Sequence, residues 1–419
     1  MRLLRNGVLG VVLAGAVGLT AACDDFLEVK NPNNLEADAV DEERDRALLA
    51  QSAFQSFVSS YGNLMVYIAW FTNEARVGDT FPTRNDFGKR DVPPNNGHIS
   101  GQSWNPMHSA AQFGRETIRS TQAAGNNIDL ARTYLSTGYS FLFVAELHCE
   151  GTVAENWLVS RGPMTSQAVM DTAIAHLQQA ADIAAGLTGA DATAVINAAR
   201  VGMARGHMFN GRKTQASQLA GQVADGFVYE LLHLDDPGNR NRLGNTIWSF
   251  SESRVSLVVG DEWRAMADAG DARIAYVDMG RVAQDGELRF FRQDKFQGWA
   301  APDRLASKLE ADYIMVEADG NAAAMFDFIN ARRAVGNQEP IAATTDMNVL
   351  LRELMEQKAR DFWLEGKRIG DLRRLGEGVV PYIIPPGDNY YKPALGVVAN
   401  QVCWPVPQAE INNNPNWPK

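Results

Sequence analysis

Histidine and cysteine are scarce in this chain, with six and three among 419 residues. None is spaced to hold a metal ion, because neither His-Glu-x-x-His nor Cys-x-x-Cys occurs. The sequence therefore calls for no metal and no other cofactor. A nucleophile elbow, Gly-x-Ser-x-Gly, is missing as well: Gly101-Gln102-Ser103 and Gly138-Tyr139-Ser140 both lack the second glycine. Glu365-Gly366-Lys367-Arg368 places Gly before Lys but has neither the earlier glycine nor the following Ser or Thr of a phosphate loop. Asp235-Asp236-Pro237-Gly238-Asn239 is too short a ligand set for calcium and reads as a solvated turn. There is no basic excess. The formal net charge is −11, which argues against nucleic acid as a partner. The apolar run over 8–22 is too short to span a bilayer as an ordinary helix. These absences weigh against an enzyme without closing the case, because Asp and Glu are plentiful and glycosidases recruit a carboxylate pair across long separations.

What is present is helical periodicity in a chain long enough to bury a sizeable core, as one large domain or two intimate ones. Asn31-Pro32-Asn33-Asn34 interrupts the chain, and Asp38 is a candidate N-cap for a helix over 39–61. An aromatic segment follows, from Tyr67-Ile68-Ala69-Trp70-Phe71 to Glu74. Over 76–105 the pattern dissolves into Gly, Pro, Asn and Asp, and a loop of that length inside a compact domain is usually functional or mobile. Periodicity returns over 107–123, 130–147 and 166–185. Met203, Ala204, His207, Gly211, Ala216, Ala220 and Val223 then supply small residues at offsets that let two helices approach closely. Their spacing resembles a tetratricopeptide repeat, with His207 at the usual tyrosine place. A second helix pair is expected over 303–319 and 322–333. Residues 226–302 carry turn chemistry, with strands expected at 246–250 and 289–291, and read as a second lobe inserted into the scaffold. The tail from 377 to 419 is Pro-, Gly- and Asn-rich.

The most specific pattern lies near the C-terminus. Met347, Leu350, Leu351, Leu354, Met355, Ala359, Phe362 and Trp363 recur at three- and four-residue steps and build an apolar helix stripe. Asp346 is its candidate N-cap, Gly366 its left-handed stop, and Glu356 is placed to pair with Arg360. The same stretch spells Glu356, Arg360, Asp361, Glu365-Gly366, Arg368, Asp371-Leu372 and Arg374. It resembles the C-terminal signature of the SusD/RagB family. Two further phrases agree: Cys23-Asp24-Asp25-Phe26-Leu27-Glu28, similar to the start of mature family members, and Trp404-Pro405-Val406-Pro407-Gln408-Ala409-Glu410-Ile411-Asn412-Asn413-Asn414-Pro415-Asn416, similar to their close. That family consists of lipid-anchored nutrient-binding proteins of the bacterial outer membrane, each paired with a TonB-dependent transporter.

The resemblance implies a mainly α fold, with tetratricopeptide-like helix pairs over about 38–225 and 303–376, an irregular, partly β lobe over about 226–302, and an extended tail over 377–419. It implies a surface lipoprotein that captures a glycan or an oligopeptide for a SusC-like TonB-dependent transporter. The competing classes are a surface glycoside hydrolase and a helical-repeat scaffold that binds only protein. Residues 1–22, with Arg2 and Arg5 ahead of the apolar run, read as an export signal. Thr20-Ala21-Ala22-Cys23 resembles a lipobox with threonine where leucine is usual, which makes Cys23 the lipidation site; plain secretion is the alternative. The signature's charges either line a ligand site or, as expected here, tie the last helix to the preceding pairs. Sugar sites combine a ring platform with planar polar groups. Asn73, Glu74, Phe81, Arg84 and Trp104 offer that mixture around the long loop, and Trp299 offers a ring in the second lobe. With Cys23 acylated, Cys149 and Cys403 are the remaining thiols of an oxidising compartment. They either bridge, pinning the tail to the scaffold, or stay as two buried thiols; the bridge is the expectation.

Overall fold

From Arg46 to Phe71 the chain runs as one helix of 26 residues, α1, in the computed structural model, which describes residues 44–156, 159–376, 378–380 and 383–418. The export signal and Cys23 lie outside the described residues. The helix extends ten residues beyond the 39–61 expectation and absorbs the aromatic segment. Every residue from Leu64 to Phe71 is buried. A helix apolar all round has no polar face to mark its period, which is why that turn reads as something separate.

The next helices are α2 (Pro82–Gly88), α3 (Asn105–Thr121), α4 (Ile128–Leu147), α5 (Ser166–Ala185), α6 (Ala190–Phe209) and α7 (Lys213–Ala220). Successive members from α3 to α7 pack on one another, and α1 packs on α3 and α4. Close approach needs small residues at the crossings. A Cβ added at Gly138 of α4 would sit 2.6 Å from Leu177 of α5, and one at Gly202 of α6 would sit 2.8 Å from the same side chain. Ala216, Ala220 and Val223 are buried, as the repeat-like spacing requires. The stretch over 76–105 is less irregular than its composition suggests. Proline at the first turn starts α2, and a π-helical turn over Ile99–Trp104 leads into α3.

Among the described residues there are four two-stranded antiparallel sheets, two of which join segments distant in sequence. β1 (Arg76–Val77) pairs with β5 (Leu257–Val258), which stitches the segment after α1 to the 226–302 stretch. β2 (Glu150–Gly151) pairs with β3 (Met164–Thr165), β4 (Val228–Leu231) with β8 (Asp303–Ser307), and β6 (Tyr276–Val282) with β7 (Arg289–Gln293). The expected strand at 289–291 is therefore present in β7, whereas 246–250 is not a strand. Asn245 caps a helical turn over Thr246–Trp248, its Oδ1 accepting from the Trp248 N–H at 2.9 Å, and a π-helical turn over Ser249–Ser253 continues it. Ile247 and Phe250, both buried, are three residues apart and face inward on a helical period that a five-residue window confuses with alternation.

The second helix pair starts later than 303, because 303–307 is β8. Ser307 then caps α9 (Lys308–Asp319), its Oγ accepting from the Glu310 N–H, and α10 (Ala322–Val335) follows. α8 (Asp261–Asp268) lies earlier in the chain, between β5 and β6. The signature opens on α11 (Met347–Asp361), capped by Asp346, whose Oδ1 accepts from the Asn348 N–H at 2.9 Å. α11 stops at Asp361 rather than 365. Leu364 and Gly366 both take positive φ, 61° and 67°, in the turn before α12 (Arg368–Leu375). The tail then runs back over the scaffold. Trp404 donates its N–H to the Leu147 carbonyl at 2.7 Å, and a Cys149–Cys403 disulfide with a Cα–Cα distance of 5.2 Å locks that crossing.

Candidate functional site

The signature's charged side chains are spent on one another and on the neighbouring helices. Asp361 accepts from Arg332 Nε and Nη2 at 2.8 and 2.7 Å, from Arg273 Nη1 at 3.1 Å and from the Tyr313 hydroxyl at 2.5 Å. Glu365 accepts from Arg304 Nε at 2.8 Å and Lys295 Nζ at 2.6 Å. Lys367 lies 2.9 Å from Glu310, and Asp371 accepts from Lys358 and Arg374 at 2.9 and 2.8 Å. Arg360 reaches Asp271 at 3.3 Å, so the expected partner Glu356 is not the one it takes. Burial alone would raise the Asp371 carboxyl, yet Lys358 and Arg374 outweigh it and hold the group at about 2. For Lys367 burial wins over Glu310 and draws the ammonium down to about 8. Two cavities inside this cluster measure about 10 Å³ each, room for one water and no sugar. The stretch is a clamp between α11–α12 and the segments that hold Glu310, Arg332 and Arg304.

Three of the sequence-predicted site residues also turn inward. Asn73, at φ 56°, donates Nδ2 to the carbonyls of Trp70 at 3.2 Å and Gly88 at 3.0 Å, fastening the end of α1 to α2. Glu74 is 1% exposed; its carboxylate accepts from Thr72 Oγ1 at 2.8 Å and the Leu364 N–H at 3.0 Å, while its carbonyl accepts from Trp363 Nε1 at 2.9 Å. Burial raises its pKa, with the Thr72 hydroxyl bond and Arg368 opposing. Trp104 is 2% exposed, boxed by the rings of His108, His148 and Trp417. These three offer no surface to a ligand: turn-rich sequence around them signals an irregular backbone, not an exposed side chain. Trp299 is half-buried under Arg240, 5.5 Å from its ring centre, beside Gly244 and apart from the loop residues in its contacts.

Phe81 and Arg84 are brought together. Phe81 is 49% exposed at the N-cap of α2. One turn on, the Arg84 guanidinium lies 4.7 Å from the Phe81 ring centre and 5.2 Å from that of Phe250, so it is held between two rings. Asp79 fixes it from below through a 2.7 Å bond to Nη1 and accepts the Phe81 N–H at 3.0 Å, setting ring and cation with one carboxylate. Arg254, exposed, covers the same Phe250 ring at 4.8 Å, and the His98 ring meets Phe81 edge-on at 6.5 Å. Burial, then the nearby Arg84 charge, lowers His98, which leaves its imidazole neutral at pH 7. The resulting strip alternates rings with planar cations on the seam that β1 and β5 close. Sequence reading missed Phe250, Arg254 and His98; the first two sit in the segment misread as a strand and just beyond it. A larger concavity of about 480 Å³ lies elsewhere, between α1 and β4, lined by Phe54, Val58, Arg132 and Tyr229, and none of the sequence-predicted residues contributes to it. Among the described residues no group of His, Cys, Asp and Glu is arranged to hold a metal.

Paired helices, an irregular stretch over 226–302 and a tail clamped across the helices make up the fold. Solved structures share it over nearly the full length, and the fold is SusD-like. A SusD-like carbohydrate-binding protein from Bacteroides fragilis NCTC 9343 is 14% identical, with a TM-score of 0.65 over 89% of this chain and 98% of that one. A SusD superfamily protein from Bacteroides vulgatus ATCC 8482 is 15% identical, with a TM-score of 0.64 over 90% and 98%. A laminarin-binding SusD-like protein is 12% identical, with a TM-score of 0.64 over 88% and 98%. No protein-family model matches the chain, and no curated protein does.

Proposed function

We propose that this protein is an outer-membrane surface lipoprotein of the SusD/RagB type that captures a glycan and delivers it to a SusC-like TonB-dependent transporter. The observation that carries the proposal is the full-length coincidence of fold with structures described as SusD-like carbohydrate-binding proteins. An exposed ring flanked by planar polar groups at Phe81 supports it, since sugars offer flat C–H faces to rings and hydroxyls to such groups. Capture rather than hydrolysis is favoured by the strip itself: among the described residues its neighbouring carboxylates Asp79, Glu252 and Asp285 are committed to Arg84, Arg292 and Lys392.

Glycan-array binding without turnover, and recovery of a β-barrel partner on gentle solubilisation of the membrane, are the expected outcomes. Hydrolysis of a bound oligosaccharide would move the protein to the glycosidase class, and a barrel partner with no ligand of any kind would make it a scaffold. Anchoring through Cys23 is tested separately. Cys23→Ala should abolish labelling by a fatty-acid analogue and release the protein from membranes, because a diacyl anchor supplies the two chains that stable attachment needs. Persisting label on that variant would refute the anchor.

A further inference from the structure

We infer that the strip formed by Phe81, Arg84, Phe250 and Arg254 selects an anionic glycan, one whose sugar ring stacks on Phe81 while a carboxylate or sulfate ester is gripped by Arg254. The inference rests on the capture reading above and adds the charge of the ligand.

The chain as a whole is acidic, with a net charge of −11, so an exposed cation without an acidic partner runs against the chain's overall charge. The nearby carboxylates are already engaged. Asp79 is bonded to Arg84 at 2.7 Å, Glu252 to Arg292 Nη1 at 2.6 Å, and Asp285 lies 2.8 Å from Lys392. These acids belong to the same seam. Asp285 donates its backbone N–H to the Gly78 carbonyl at 2.9 Å, and Gln284 donates to the Val255 carbonyl at 3.0 Å, next to Arg254. Arg254 has neither an ion pair nor a side-chain hydrogen bond to another described residue, and its guanidinium carbon lies 4.8 Å from the centre of the Phe250 ring. Phe250 is 6% exposed and so is fixed in place, and the Arg254 side chain that covers it is exposed.

An arginine stacked on a ring is pre-organised for a planar or tetrahedral oxyanion, since little side-chain freedom is left to lose when both N–H groups bond. Arg84 cannot play that part. Its charge is balanced by Asp79, and it acts as the spacer that sets Phe81 and Phe250 on either side. A neutral hexose would use Phe81 and leave Arg254 bonded to water. A ligand that carries an acid group elsewhere along the oligomer can use both.

The probes are oligomers of galacturonate, glucuronate and mannuronate, and sulfated galactan oligomers. Each is offered to the full chain alongside the same oligomer with carboxyls reduced to alcohols or sulfate esters removed. At least one anionic oligomer should bind, lose about tenfold or more in affinity when its charge is removed, and weaken as salt is raised. Whether the uronate or the sulfated set responds names the acid group. Arg254→Met, which keeps the stem on Phe250, should reproduce that loss on the charged oligomer and leave the neutral one unchanged, while Arg254→Lys should recover part of it. Phe81→Ala should weaken charged and neutral forms alike. Equal affinity for the charged and neutral forms, or an Arg254→Met variant that binds the anionic oligomer as well as wild type, would overturn the anionic selection and leave capture standing. Binding of no carbohydrate, charged or neutral, would overturn capture itself.

Discussion

Phe81 and Trp104 carry rings of similar chemistry in the same 30-residue stretch, and their surroundings give them opposite roles. Phe81 stands 49% exposed with its backbone fixed by Asp79, so the ring is available and its orientation is set before any ligand arrives. Removing it should leave stability within about 0.5 kcal/mol and cost a stacked ligand roughly 0.5–1.5 kcal/mol beyond the lost area. Paired urea unfolding and calorimetry would read both numbers. Trp104 is sealed between His108, His148 and Trp417, and its Nε1 donates to Glu410 at 3.4 Å. Trp104→Ala should cost about 3–5 kcal/mol and expose the tail around Trp417 to proteolysis, with ligand affinity unchanged wherever the fold survives. A Trp104→Ala variant that unfolds like wild type would show that the box contributes little.

At the scale of the element, α11, the turn after it and α12 form a clamp whose strength depends on charge being matched in a buried place. Asp371 shows the sign of that dependence. Its folded pKa, about 2, lies below the ordinary aspartate value of 3.8, because Lys358 and Arg374 outweigh burial. A depressed carboxyl contributes stability that is fully present above its unfolded pKa and is lost as pH falls through the folded one. The window is therefore pH 4 down to 2, and the contribution at neutral pH is about 2 kcal/mol. Asp371→Asn should destabilise by about 3–5 kcal/mol at pH 7, more than that linkage, because Lys358 and Arg374 are left buried with less counter-charge. It should also flatten the dependence of stability on pH between 4 and 2. Urea midpoints across that range check both, and a variant as acid-sensitive as wild type would remove Asp371 from the account. The helices of this clamp and of the repeat-like pairs were legible because each shows a polar and an apolar face, a cap such as Asp346, or small residues at a crossing. The end of α1 was not, since burial on all sides erases the period. The turn at Thr246–Trp248 was misread because five residues hold too few repeats to separate two periods. For the candidate strip, Phe81 and Arg84 were legible as neighbours one helical turn apart. Phe250 and Arg254 were not, for they reach it only through the β1–β5 pairing, a two-residue contact with no periodic trace.

For the whole molecule, the open question is how a tail with few periodic apolar residues stays in place, and the answer is a series of point attachments. Gln401 exchanges side-chain bonds with the backbone of Val92, its Oε1 accepting at 2.9 Å and its Nε2 donating at 3.0 Å, and Gln408 donates its N–H to the Pro94 carbonyl at 2.8 Å. Trp404 is fully buried against Phe71 and Phe87, and the Cys149 N–H returns a 2.9 Å bond to its carbonyl. The disulfide beside it closes a separation of 254 residues. For a loop that long the chain-entropy estimate is about 5–6 kcal/mol, and it acts by restricting the unfolded chain. The native attachments do not depend on it. Replacing both cysteines by serine should therefore lower the urea midpoint while leaving the folded tail as protease-resistant as before under native conditions. Reductant should lower the wild-type midpoint toward that of the double variant and leave the variant's own midpoint where it was. Mass spectrometry of the unreduced, alkylated protein should find no label on Cys149 or Cys403. Label on both would show that the bridge does not form, and a reductant effect of equal size on the double variant would show that the bridge is not what reductant removes.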